Sequence, residues 1–262
     1  MIQINLAGKR AVVGGSSRGL GLASAQQLAD AGAEVILMAR NEEKLKSALT
    51  SLSVNAGQRH RYLVVDYADP VGFERTVKEY FANLEVHILV NNTNGPAPGT
   101  VMEKGVQDFQ QAFDLLFKSY VTLTQTLLPG MLGAGFGRII NVSSSSVKEP
   151  ISNLVLSNSV RSAVVSWAKS LSREVASKGV TVNTILTGSF DTERLMEVVE
   201  GQAAKKGISP KALMEQKILS IPAGRLGRPE EYGFLVAFLA SPLAAYINGV
   251  NMPIDGGYMT AI

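Results

Sequence analysis

The stretch Arg10-Ala-Val-Val-Gly-Gly15-Ser-Ser-Arg-Gly19-Leu-Gly21 decides the fold. A short apolar run ends in a turn of small residues, and Leu20 to Ala31 then shows helical spacing with small side chains on one side. The segment reads as strand, glycine turn, helix. Such a turn lets backbone approach a pyrophosphate, and the helix N-terminus offers unpaired N–H groups and a positive dipole end to the anion. The spacing of Gly15, Gly19 and Gly21 is a weak signal alone, and its place between a strand and a helix gives it weight. Ser17, Arg18 and Leu20 share the turn and join the three glycines as candidate cofactor contacts.

Outward from this unit the alternation continues. Val35 to Ala39 is a second apolar run, Asn41 a helix N-cap, and Glu42 to Leu52 the next helix. Strand-like Tyr62 to Val65, helix-like Val71 to Phe81 and strand-like Val86 to Val90 follow. The pattern then predicts one long helix from Val106 to Leu132, a glycine-rich turn, a strand over 138–142, a helix over 157–178 and a strand over 181–186. A helix over 229–240 and a seventh strand over 250–254 complete it. Near-continuous apolar strands separated by helices indicate a parallel sheet covered on both faces. The expected architecture is a doubly wound, Rossmann-type α/β fold with a mainly parallel seven-stranded sheet. Residues 191–219 are polar, helical in tendency and broken by Gly207 and Pro210, which suggests a lid. No repeat, low-complexity tract or linker divides the chain, so 1–262 reads as a single domain.

Composition narrows the function. Hydrophobic residues make up 46% and charged residues 18%, as in a folded globular protein. There is no cysteine, and His60 and His87 are the only imidazoles, so no metal site is expected. The N-terminus lacks a signal-peptide pattern, and no apolar run approaches the roughly 20 residues that span a bilayer, so a cytoplasmic protein without membrane association is expected. The net charge of +3 is spread without a dense basic run and gives no reason to expect nucleic-acid binding.

The end of the second strand speaks to the cofactor. A carboxylate there accepts hydrogen bonds from the ribose hydroxyls of NAD, whereas Val35-Ile-Leu-Met-Ala39 ends without one and Arg40 follows. A guanidinium suits the 2′-phosphate of NADP, and Arg18 in the glycine turn can reach the same group. NADP(H) is therefore expected over NAD(H).

With these motifs in order, the chain resembles the short-chain dehydrogenase/reductase family along nearly its whole length, closest in pattern to bacterial 3-oxoacyl-(acyl carrier protein) reductases. Asp66 matches the acidic residue that the resemblance places beside the adenine, and Asn91-Asn92-Thr93-Asn94 is similar to the family's NNAG motif. Gly137-Arg-Ile-Ile-Asn-Val-Ser-Ser144 resembles the strand whose last serine orients substrate. Val182-Asn183, Thr187-Gly188 and Thr192 resemble the segment that holds the nicotinamide carboxamide, with Thr187 in place of the usual proline. The 221–231, Phe238-Leu-Ala-Ser241 and Asp255-Gly-Gly257 segments match as well. The resemblance implies NADP(H) contacts from Asn92, Thr93, Gly188 and Thr192, and a homodimer or homotetramer acting on a small-molecule or acyl-thioester substrate.

The reacting centre departs from that pattern. Thirteen residues after Ser144, where the family carries its catalytic tyrosine, stands Ser157, and four further on, where it carries lysine, stands Arg161. The position of the family's proton-relay asparagine holds Leu116. A serine hydroxyl is too short and too weakly acidic to replace a phenol, whereas Arg161 can still hydrogen-bond the nicotinamide ribose but stays protonated. Ser144, Ser157 and Arg161 are thus the candidate catalytic residues, with Arg161 also a cofactor contact. Tyr120, one helical turn after Leu116, and Lys148 and Glu149 in the loop after Ser144 are candidate substitute acids, although such residues are more often a core aromatic and solvated loop charges. The serine run 143–146 has no histidine poised to activate it and reads as a polar strand exit. Three functions stay open: a carbonyl or alcohol oxidoreductase, 3-oxoacyl thioesters among its substrates, with an atypical proton donor; a reductase of a polarised double bond or imine protonated by solvent; and a noncatalytic NADP(H)-binding sensor or inactive subunit of a hetero-oligomer.

Overall fold

The computed structural model describes residues 3–261. Its sheet runs β3-β2-β1-β4-β5-β6-β7. The strands are β1 Arg10–Gly14, β2 Glu34–Ala39, β3 Arg61–Val64, β4 Ile88–Asn91, β5 Gly137–Val142, β6 Val180–Thr187 and β7 Asn251–Ile254. Every neighbouring pair is parallel. Strand order reverses at β1, which pairs with β2 on one side and β4 on the other. The crevice above the carboxyl ends of these strands is the switch point where open α/β sheets bind ligands.

Alternate side chains of each central strand enter different cores, as a period of two requires. Val13 and Leu37 pack with Leu28 and Val236 on one side. Val12 and Ile36 pack with Leu89, Leu123 and Ile139 on the other. Burying such aliphatic side chains contributes about 1.5–3 kcal/mol each. The first core is covered by α1 Gly19–Asp30, α2 Glu42–Thr50 and α9 Pro229–Ala240, the second by α3 Pro70–Phe81, α5 Ser119–Gly133 and α6 Val155–Val175.

The long helix expected over 106–132 is not continuous. It comprises α4 Val106–Phe113, a π-helical turn Asp114–Lys118 and then α5. Ser119 Oγ donates to the Asp114 carbonyl five residues back at 3.1 Å, helping to satisfy the widened turn. One extra residue in a turn barely disturbs the apolar periodicity, so the pattern cannot reveal it. The lid-like segment forms α7 Glu193–Lys206 and α8 Pro210–Leu219, separated by Gly207 at φ +66°. Val199, Ala203 and Leu213 make a small buried cluster between them. No helix among the described residues is long and apolar enough to cross a membrane.

Candidate functional site

The glycine turn forms the floor of a groove. Gly15 and Gly19 adopt φ of +54° and +57°, a region that side chains disfavour. A methyl on Gly21 would lie 2.3 Å from the Gly15 carbonyl oxygen, so only glycine lets α1 start this close to the turn. Arg18 is the N-cap of α1 and supplies no side-chain cap, leaving the first N–H groups of the helix for a ligand. Asn92 Nδ2 donates to the Gly14 carbonyl at 3.1 Å and ties the end of β4 to the turn.

Two cavities of about 180 and 190 Å³ share Gly15, Arg18 and Asn94. The first runs past Gly19, Leu20, Gly21, Asn92, Thr93 and Thr192. The second runs past Ser17, Arg40, Lys44 and Tyr67. Shape, small residues and cations fit a phosphorylated dinucleotide, and no carboxylate from β2 lines the second cavity. Thr192 caps α7, accepting from the Leu195 N–H at 3.2 Å, and its methyl lies 3.6 Å from where a Cβ on Gly19 would stand.

Three other expected contacts have protein partners of their own. Asp66 is exposed, closes a turn with the Ala68 N–H at 3.0 Å and lines neither cavity, whereas its neighbour Tyr67 does. Gly188 is required by packing, since a Cβ there would lie 2.5 Å from Asp255 Cα. Arg18, expected at the 2′-phosphate, donates to Glu193 and to Glu197, the latter at 2.9 Å. The sequence reading missed Lys44, Tyr67, Glu193 and Glu197. Lys44 stands three residues after the N-cap Asn41, in the first turn of the helix that follows Arg40, and was findable by that place.

The candidate reacting groups gather where β5 ends. Ser144 Oγ accepts from the Ser146 N–H at 3.1 Å. Arg161, 9% exposed, donates from Nη1 to the Val142 carbonyl at 2.7 Å and from Nε to Ser157 Oγ at 3.2 Å. Leu116 is fully buried against Ala112, Leu156 and Val160, so apolar packing fills its surroundings.

The substitute acids are otherwise engaged. Tyr120 is buried and its hydroxyl donates to the Val142 carbonyl at 3.1 Å. Burial pushes its pKa up, opposed by the nearby Arg161 guanidinium. Glu149 Oε1 accepts from Thr260 Oγ1 and from the Thr260 and Ala261 N–H groups at 2.7–2.8 Å. The Thr260 hydroxyl and these amides hold its carboxyl below the ordinary range, the reverse of what a proton donor needs. Lys148 is an exposed loop residue.

Comparison with known proteins agrees with this geometry. Residues 15–259 match the family model described as enoyl-(acyl carrier protein) reductase. The chain is 34% identical to the 3-oxoacyl-[acyl-carrier-protein] reductase FabG of Vibrio cholerae over 97% of this chain and 98% of that one. It is 30% identical to the NADPH-dependent reductase BacG of Bacillus subtilis, covering 97% of this chain and 99% of that one. The crystal structure of L-sorbose reductase from Gluconobacter frateurii, complexed with NADPH and L-sorbose, superposes with a TM-score of 0.92 at 30% identity over 100% of both chains. The chain belongs to the short-chain dehydrogenase/reductase family of oxidoreductases.

Proposed function

We propose that the protein is an NADP(H)-dependent oxidoreductase that reduces a carbonyl compound, with 3-oxoacyl thioesters the first substrates to assay, and that its proton donor is not the residue at position 157. The observation that carries the reading is the pair of adjoining cavities, one past Arg40 and Lys44 and the other past Thr93 and Thr192, that meet at the glycine turn. The cofactor, when bound, supplies a hydride. Gly15, Gly19 and Gly21 admit its diphosphate, Arg40 meets its 2′-phosphate, and Arg161 orients its nicotinamide ribose. Ser144 holds the substrate oxygen. The Val142 carbonyl holds that guanidinium, and Ser157 only accepts a further hydrogen bond from it, so the proton comes from water.

A second reading is reduction of a double bond or imine conjugated to such a carbonyl. One observation favours it: the phenol that shares the Val142 carbonyl with Arg161 is the buried Tyr120, already bonded there. A delocalised anion beside a permanent cation takes its proton from solvent. The test is NADPH consumption over ketones, 3-oxoacyl thioesters, imines and enones, with product analysis. Alcohol products support the first reading and saturated carbonyl compounds or amines the second. NADPH binding without turnover of any substrate refutes both and favours a sensor or an inactive subunit. A homodimer or homotetramer is proposed from the relatives' family, and sedimentation showing only monomer at micromolar concentration refutes it.

A further inference from the structure

Residues 255–261 turn back on leaving β7 and touch three other segments. Gly256 and Gly257 adopt φ of +69° and +85°, and the Asp255 carboxylate accepts from the N–H groups of Gly257 at 3.0 Å and Met259 at 2.9 Å. Asp255 packs against Gly188, where a Cβ would lie 2.5 Å from its Cα. The Gly256 carbonyl accepts from the Ala223 N–H at 3.0 Å, just beyond the end of α8. Thr260 and Ala261 then meet Glu149, in the loop that follows Ser144.

That loop is fastened unevenly. Ser145 and Ser146 are buried, whereas Lys148 and Pro150 are exposed. The N–H groups of Val147, Lys148 and Glu149 donate at 2.9–3.3 Å to the carbonyls of Ser144 or Ser145, which curls the loop on itself without attaching it to anything else. Among the described residues, the hydrogen bonds that join 145–150 to a distant part of the chain are the three that Glu149 Oε1 accepts from Thr260 and Ala261. Bonds to an ionised oxygen are the stronger kind, and these hold the Glu149 carboxyl below its ordinary range. Thr260 and Ala261 are themselves exposed, so burial does not order them, and a chain end without such ties frays.

We propose that Glu149 is a positioning residue: by gripping the C-terminal segment it fixes the outer half of the loop after Ser144 to the same strap that braces Gly188. The two sides of the nicotinamide end are thereby held together within one chain. This rests on the NADP(H) reading, in which Ser144 holds the substrate oxygen and the strand end at Gly188 lies beside the nicotinamide. The carboxylate then serves the site by its hold on the tail, with no proton of its own to give.

The test breaks the contact from either side in the full chain. Glu149→Ala removes the acceptor, and Thr260→Pro removes two of the three donors without altering the loop. Both variants are expected to speed amide exchange at 145–149, to move the emission of bound NADPH toward that of the free cofactor, and to weaken NADPH roughly 3- to 10-fold, the range of one ordinary hydrogen bond. Binding of 2′,5′-ADP, which lacks the nicotinamide half, is expected to stay as in the wild type. The inference is overturned if 145–149 keep wild-type exchange, if the emission of bound NADPH is unchanged, or if 2′,5′-ADP is weakened as much as NADPH. Wild-type protein that binds neither nucleotide would overturn the cofactor reading instead. Melting temperatures establish that both variants are folded.

Discussion

Replacing Arg161 by methionine separates a cofactor contact from a structural one. The guanidinium is 9% exposed, bonds the Val142 carbonyl and Ser157 Oγ, and pairs with no carboxylate among the described residues. Burying such a charge costs several kcal/mol, which two charge-assisted hydrogen bonds at about 1.5–3 kcal/mol each largely offset. Methionine removes both the cost and the return. The Val142 carbonyl is not orphaned, because Tyr120 still donates to it at 3.1 Å. Ligand-free stability is therefore expected to change by no more than about 1 kcal/mol, or roughly 2–4 °C in melting temperature. Cofactor affinity is a different matter. A guanidinium has five N–H donors, and the bonds to Val142 and Ser157 use two of them, so the proposed ribose contact draws on the others. Losing that contact is expected to weaken NADPH binding roughly 10- to 150-fold, equivalent to about 1.5–3 kcal/mol. Calorimetric titration with NADPH, paired with thermal melting, reads both quantities. Normal affinity in Arg161→Met would refute the placement of α6 against the cofactor, and a large melting decrease with normal affinity would show the bond to be purely structural.

Three further outcomes are expected. Ser157→Ala should bind NADPH as the wild type does and keep any turnover within about tenfold; complete loss of turnover in folded, NADPH-binding protein would make Ser157 the proton donor. Gly21→Ala should abolish cofactor binding measured by titration, because its methyl would meet the Gly15 carbonyl oxygen at 2.3 Å and force the turn to shift, at a cost of about 1–3 kcal/mol in stability. Glu149 has a folded pKa below its ordinary 4.5, so its hold on the tail is complete above that value and is lost as pH falls through the lower, folded value. Amide exchange at Thr260 and Ala261 should therefore show protection lost on acidification below the ordinary carboxylate range and retained at neutral pH, and Glu149→Gln should reduce that protection at neutral pH.

What the sequence determined is what neighbours along the chain decide among themselves. The apolar run into the glycine turn, the alternation of strands with helices and the missing carboxylate after Ala39 all follow from local spacing and sterics, and the fold follows with them. Arg40 was legible because it stands beside the strand end that positions it. Serine and arginine at 157 and 161 were equally plain, one helical turn apart on α6. The tertiary structure alone decided where each polar side chain spends its hydrogen bonds. Arg18 is claimed by Glu193, 175 residues away, and Glu149 by the tail, 111 and 112 residues away. Tyr120 meets a carbonyl of β5 because the π-helical turn and α5 set it there. Charge and hydrogen-bonding capacity are written in a residue's type, but the partner depends on which distant segment the packing of cores brings within about 3 Å, and no local period encodes that.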